Sequence, residues 1–329
     1  MASDARANTV QAVGKFKVKK KKHGFGYELK HNWILFLMLI PAFIFFIINN
    51  YIPMFGVYFA FVRYTFAPNI LLSLIRSPFV GLANFRFLWQ SGTLVSLTVK
   101  TVLYNIVFIF LGNALQIMMG ILLSQMLGKY YKKIAQSLMF LPYFVSMVIV
   151  AVLAYNIFNY EFGMLNSLIK SAGGQPVNIY GDPNAFPFII VFFNIWKGIG
   201  YGTVIYLAAI LGINKEIYEA ADVDGCNIFQ RVRYIILPNL KPMFIILVLF
   251  SIGGILKGQF DLFYQLVGNN GLLFSTTDII DTYVYRSLTT TFDPGLGAAA
   301  GVYQSVFGFI LILVVNWLVK RRNPDYVLF

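Results

Sequence analysis

The stretch EAADVDGCNIFQRVRYIILP, residues 219–238, decides how this chain is read. It is a polar island in the second half of a very apolar sequence. Glu216, Glu219, Asp222 and Asp224 crowd its beginning. Gly225 stands at its centre, Arg231 and Arg233 follow, and Leu237-Pro238 stands at the door of the next apolar run. The pattern predicts a helix, a glycine turn and a second helix. A few residues suffice to join two membrane spans, so a polar connection of this length points to a grip from outside the membrane.

Around that island the composition sets the class. Of the 329 residues, 58% are hydrophobic and 12% charged, and the mean hydropathy is +0.71. A soluble domain is about half apolar and a quarter charged, so this is an integral membrane protein. The apolar runs are long enough to cross about 30 Å of hydrocarbon as helices. They lack the alternating strands of a barrel, which makes the fold class all-α. Six spans are expected near 33–58, 97–127, 134–158, 187–212, 242–267 and 296–319. About thirty polar residues precede the first apolar run, so that span is expected to remain as an uncleaved anchor.

Basic residues set the orientation. Most of the 26 lie before the first span, between the second and third, between the fourth and fifth, and after the sixth; Lys19–Lys22, Lys129, Lys132, Lys133, Arg231, Arg233, Lys241 and Lys320–Arg322 are examples. Both termini and the 213–241 segment are therefore expected in the cytoplasm. The net charge of +13 follows from this bias and does not indicate nucleic-acid binding, because the cations sit beside spans. Three parts are expected: a basic tail over 1–30, a six-span domain over 31–320 holding the cytoplasmic loop 213–241, and a cytoplasmic tail over 321–329. The single cysteine, Cys226, excludes an intrachain disulfide.

The 219–238 segment resembles the EAA loop of binding-protein-dependent ABC importer permeases, which reads roughly E-A-A-x-x-D-G, about nine residues, then I-x-L-P. Glu219, Ala220, Ala221, Asp224, Gly225, Ile235, Leu237 and Pro238 match. Pro53-Met54-Phe55-Gly56, Gly81-Leu82 with Asn84-Phe85, and Leu141-Pro142 also look like this family. The stretches 258–265 and 277–286 are similar to its LplB-type branch, associated with polysaccharide or oligosaccharide import, and the first permease of alginate importers looks similar. The large outer domain and additional N-terminal spans of MalF-type maltose permeases are not matched.

The resemblance implies a type I importer architecture in a bacterial-type plasma membrane. It further implies a heterodimer with a second permease, two ATPase subunits and an extracytoplasmic substrate-binding protein. Residues near 216–223 would form a short helix docking on an ATPase. Glu219 would make a charge-assisted contact there. Ala220 and Ala221 would permit close approach, and Gly225 would turn the chain beside Asp224. Arg231 and Arg233 would hold the loop, and Pro238 would separate it from the fifth span. No GxxxxGK[ST] phosphate loop occurs in the chain. ATP and magnesium would be used by the partner ATPase, with no cofactor in this chain and no catalysis by this chain itself.

Candidate path residues follow from helical spacing, because ionisable groups at membrane depth usually face a bundle interior or water. Lys257, Asp261, Tyr264 and Gln265 are expected on one face of the fifth span. Asn194, Lys197 and Tyr201 share a face of the fourth. Tyr104, Asn105 and Gln116 lie on the second, near Gly112. Lys257 and Asp261 would equally neutralise each other across one turn. The pairs Gly254/Gly258 and Gly297/Gly301 are expected at close helix contacts. Asp278, Asp281 and Arg286 are candidates for docking the binding protein, or for bracing their own loop.

Amides, charges and aromatic rings suit a saccharide. A permease for a polyol, a phosphodiester or another small polar solute is the alternative. An intramembrane enzyme is a poor fit: His23 and His31 both precede the first span, and HExxH, Cys/His clusters and glycine-flanked nucleophiles are absent from the sequence. No metal site is expected.

Overall fold

The computed structural model describes residues 24–322. The Lys19–Lys22 run and most of both expected tails lie outside the described residues. Two compact units are distinguished, residues 1–55 and 56–329. The described part of the first holds a short helix, Phe25–His31, and most of the first long helix, α1 (Trp33–Phe61).

Among its described residues the second unit consists of helices joined by loops, with one isolated bridge between Val62 and Phe79. Its long elements are α2 (Thr93–Gln125), α3 (Lys129–Phe144), α4 (Met147–Phe158) and α5 (Phe186–Leu211). A short α6 (Lys215–Val223) leads to α7 (Ile228–Gly253). Then come α8 (Phe260–Val267), α9 (Ile280–Thr289) and α10 (Pro294–Arg322). By length and hydropathy α1, α2, α5, α7 and α10 can each cross a membrane. The pair α3–α4, bent by 95°, supplies a sixth crossing when taken as one broken span.

The bend follows from local chemistry. Helix α3 carries Pro142 in its last turn, and Val145 leaves it with extended backbone. Ser146 caps α4, accepting a hydrogen bond from the Ile149 amide at 3.4 Å. A proline also explains two widened turns. The π turns Ile47–Tyr51 and Val232–Ile236 each end two residues before a proline, Pro53 and Pro238. Proline lacks an N–H and clashes with the carbonyl four residues back. A π turn accommodates both effects without ending the helix.

Two sequence expectations are corrected here. Pro238 does not separate the loop from the fifth span, because the helix runs through it from Ile228 to Gly253. The fifth span is accordingly Ile228–Gly253 and not 242–267. Past Gly253 the chain leaves the helix over residues 254–259 before α8 begins. Carbonyls freed by a break at membrane depth need partners, and side chains supply them. Asn105 Nδ2 donates to Ile255 O at 3.0 Å, and Gln304 Nε2 donates to Leu256 O at 2.7 Å.

Three buried clusters hold the unit together. The largest surrounds Phe263 of α8 and gathers Tyr104 and Phe108 of α2, Val150 and Ala154 of α4, and Phe186, Ile190 and Phe193 of α5. A second joins Ala60, Leu88, Leu94, Ala299 and Ala300. The third joins Tyr206 and Ile210 of α5 to Ile236 and Leu240 of α7. Burial of such side chains contributes on the order of 1.5–3 kcal/mol each between aqueous and apolar surroundings, but lipid is itself apolar. Close packing therefore matters more here. Gly200 lies against the backbone of Met139 and Phe140, and Gly120 faces Tyr206 and Leu207. Gly297 meets Ser287 and Val284 of α9, within this chain. The expected Gly254/Gly258 pair is not a helical one, since both residues fall in the break.

Candidate functional site: a polar cavity and a polar loop

A cavity of about 820 Å³ opens where α2, α5, α7 and the 254–259 break converge. Seven sequence candidates line it: Asn105, Gln116, Asn194, Lys197, Tyr201, Lys257 and Asp261. Helix α2 adds Asn113, α3 adds Tyr143, α4 adds Met147, α7 adds Ser251, and the break adds Gly258 and Gln259.

Its side chains are ordered by one another. Asn194 Nδ2 donates to Gln259 Oε1 at 2.6 Å, tying α5 to the break. The rings of Tyr143 and Tyr201 stack at 5.3 Å and 15°. Lys197 Nζ donates to Tyr143 O at 2.9 Å and to Val145 O, so its ammonium ties the bend between α3 and α4 to α5. A cation there also complements the negative end of the α3 dipole. Deeper, Tyr206 Oη donates to Asn113 Oδ1 at 2.6 Å, in full burial. The arrangement can present amides, one exposed ammonium, one exposed carboxylate and an aromatic pair to a polar, multi-hydroxyl ligand.

Three path candidates lie elsewhere. Because the chain leaves the helix before Lys257, the expected single face from Lys257 to Gln265 does not form. Tyr264 instead stacks on Phe260 at 5.2 Å and meets Tyr285 edge-on at 4.8 Å. Gln265 turns into a separate groove. Tyr104 is buried, its hydroxyl donating to Thr276 O at 3.2 Å. Lys257 and Asp261 do not pair; among the described residues the ion pairs are Arg231–Asp222 and Arg286–Asp278. Tyr143 and Gln259 were missed. Tyr143 lies on a different span from its partner, and helical spacing across the 254–259 break puts Gln259 off the expected face of the fifth span.

The residues expected to dock a binding protein face inward. Arg286 forks onto both Asp278 oxygens at 3.1 and 2.5 Å, and its guanidinium lies 4.1 Å from the Phe274 ring centroid. Asp281 Oδ2 accepts from the Gly258 amide at 2.7 Å and from Gln304 Nε2 at 3.1 Å. Burial pushes the Asp281 carboxyl above the ordinary carboxylate range, against the opposing pull of these hydrogen bonds and of Lys257. These groups brace the loop against itself, since a buried charge persists only when paired or hydrogen-bonded.

The polar loop is built as a hairpin. Asn214 caps α6, accepting from the Glu216 amide at 3.1 Å. Gly225 turns the chain with φ +70°, a conformation that suits glycine. Asn227 and Gln230 form a capping box that starts α7. Arg231 binds Asp222 across the hairpin, with its guanidinium 5.9 Å from the Tyr218 ring centroid. Burial pushes the Tyr218 phenol up, and Arg231 opposes the shift. Ala221 is buried against the hairpin, whereas Glu219 and Ala220 are exposed. Val223 and Phe229 are also exposed, at 88% and 82%. Among the described residues no three His, Cys, Asp or Glu side chains gather to hold a metal ion.

A family model described as "Binding-protein-dependent transport system inner membrane component" matches residues 116–324, which include the polar hairpin and most of the cavity wall. The chain belongs to this family. The permease is 32% identical to Protein LplB of Bacillus subtilis (strain 168), with 90% of this chain and 92% of that protein covered. It is 31% identical to the polygalacturonan/rhamnogalacturonan transport system permease protein YteP of the same organism, with 98% of each chain covered. Among solved structures, a chain of a bacterial ABC transporter involved in the import of the acidic polysaccharide alginate superposes with a TM-score of 0.78. It is 29% identical, with 90% of this permease and 98% of that chain covered. This likeness covers nine-tenths of the chain and is not confined to the hairpin.

Proposed function

We propose that the permease forms half of the translocation path of an ATP-driven importer for oligosaccharides or polysaccharide fragments. The carrying observation is the 820 Å³ cavity, where amides, a stacked tyrosine pair and two exposed charges converge. Amides and charges meet sugar hydroxyls and carboxylates, and aromatic rings cover the apolar faces of pyranoses. The names of LplB-type relatives and of the alginate transporter support a saccharide.

The second half of the path is a related permease in a heterodimer. Two ATPase subunits bind ATP and magnesium below, and an extracytoplasmic binding protein delivers the substrate from outside. Both termini and the hairpin face the cytoplasm, in the membrane that the family's description names. Glu219 and Ala220, on the exposed side of α6, together with Val223 and Phe229, make a mixed charged and apolar surface that fits a cleft on the ATPase. Asp224 and Gly225 end α6 there. Arg231 holds α6 to the foot of α7, and Pro238 lies within that continuous rod, so a displacement of α6 reaches Ser251 at the cavity.

The test is affinity purification from native membranes in mild detergent, with mass spectrometry of the retained proteins. A second permease and an ATPase are expected with the native chain, and the ATPase is expected to be lost with Glu219→Lys. Retention of an ATPase and normal uptake by Glu219→Lys would overturn the coupling assignment.

A further inference from the structure

A second concave site, of about 580 Å³, runs along the same helix pair that borders the cavity. Helices α4 and α8 pack side by side. Their first residues, Met147 and Phe260 to Leu262, line the cavity. The second groove starts beside Met147, at Val148, and follows α4 through Val152 and Tyr155 to Asn159, with Gln265 to Val267 of α8 across from it. From Met147 to Tyr155 the helix advances about 12 Å, at 1.5 Å per residue. Because α5 runs from Phe186 to Leu211 and then into α6, the groove beside Tyr180 sits at the end of the molecule opposite α6.

The groove has apolar walls, Val148, Ala151, Val152, Leu266 and Val267, and polar groups converge on them. Three tyrosines, Tyr155, Tyr160 and Tyr180, meet three side-chain amides, Asn159, Gln265 and Asn270. Tyr180 is fixed, with its ring against Phe186 at 5.1 Å and its carbonyl accepting from Asn270 Nδ2 at 2.8 Å. Tyr155 stands edge-on to it at 5.6 Å. Tyr155 and Tyr160 still expose 48% and 46% of their surface. Tyrosines anchoring a span at the membrane interface would be scattered around the bundle. Here they converge with amides on one concavity, within the volume range of small-ligand sites.

We propose that this groove is an outer saccharide-binding subsite, engaging the trailing units of a linear oligosaccharide whose leading units occupy the cavity. The inference rests on the saccharide reading above and adds a length preference to it. Tyr160 supplies a stacking face and Gln265 a hydroxyl-binding amide. A short substrate fills the cavity alone; a longer one spans both sites along α4 and α8.

The test uses the complete importer in proteoliposomes with ATP inside. The probes are alginate and galacturonan oligosaccharides from disaccharide to hexasaccharide. Tyr160→Ala and Gln265→Ala are each expected to raise KM for the hexasaccharide roughly threefold to tenfold, the worth of one aromatic or hydrogen-bonded contact. The disaccharide KM and both kcat values stay unchanged, and Tyr160→Phe, which keeps the ring, behaves as the native chain. Equal effects on all lengths, loss of kcat throughout, or no effect on any length would overturn the subsite. A response to bilayer lipid composition in place of substrate length would assign the groove to lipid, and likewise overturn it. If the native importer accumulates no member of either series while the hairpin still retains its ATPase, the saccharide reading fails and the subsite with it.

Discussion

Lys197 donates from its ammonium to the main-chain carbonyl of Tyr143 at 2.9 Å, and this contact, with a second to Val145 O, joins α5 to the end of α3 at the bend. The same lysine borders the cavity, so a structural tie and a cavity wall are one residue. Lys197→Met removes both donated bonds and keeps the length of the side chain. Unsatisfied carbonyls there cost about 1–3 kcal/mol in all. A lowered melting temperature of the purified permease is expected; an unchanged one would show that water replaces the ammonium without loss.

Asp278 and Arg286 predict a larger effect. Their pair is bidentate and nearly buried. Removing one partner of a buried pair leaves the other charge stranded, at about 3–5 kcal/mol. Asp278→Ala and Arg286→Met are each expected to destabilise the permease by that order. The double variant should lose less than the sum, which a double-mutant cycle measures. Full stability of either single variant, combined with weaker docking of a binding protein, would restore the surface role that the sequence suggested.

Glycine positions give a contrasting pair. At Gly200 an added methyl would run into the Met139 carbonyl and the Phe140 backbone. Gly200→Ala is expected to cost about 1–3 kcal/mol by overpacking, because backbone does not step aside as a flexible side chain does. Gly301, inside α10, has nothing within 4 Å of the same position. Gly301→Ala is expected to be neutral or to gain up to about 1 kcal/mol from helix propensity. Thermal unfolding of both variants in one detergent reads the difference.

Asp281 predicts a pH dependence. Its carboxyl is raised above the ordinary value of 3.8, chiefly by burial. A carboxyl raised on folding contributes stability that is fully present below the unfolded value and is lost as pH rises through the folded value. The native permease should therefore lose this contribution as pH rises from about 4 through the raised folded value. Asp281→Asn, uncharged throughout, should flatten that part of the profile. Parallel profiles for the two proteins would show that Asp281 is not the group responsible.

Much of this was legible in the sequence because the relevant signals are local. The hairpin announced itself through Glu219 to Pro238, and α6 and the positive φ of Gly225 lie where the pattern put them. Helical spacing placed Asn194, Lys197 and Tyr201 on one face, and all three line the cavity. Spacing failed where helix continuity failed. The run from Lys257 to Gln265 reads as an amphipathic face only if the helix persists, and Gly253, Gly254 and Gly258 with the side-chain amides of Asn105 and Gln304 stop it. Pro238 misled in the opposite sense, because the π turn Val232–Ile236, ending two residues before it, keeps the helix intact. The inward turn of Asp278 and Arg286 depends on packing against Phe274, which no one-dimensional pattern displays.

The central claim is that the cavity of this permease carries saccharide, and its amide pair offers the most direct test. The importer, with its second permease, ATPases and binding protein, is placed in proteoliposomes with ATP inside, and accumulation of labelled oligosaccharide is followed for the native chain and for Asn194→Leu/Gln259→Leu. The account predicts ATP-dependent accumulation by the native complex and a loss of at least about tenfold in the variant, with the ATPase subunits still bound. Undiminished accumulation by a variant that lacks the Asn194–Gln259 pair would contradict it.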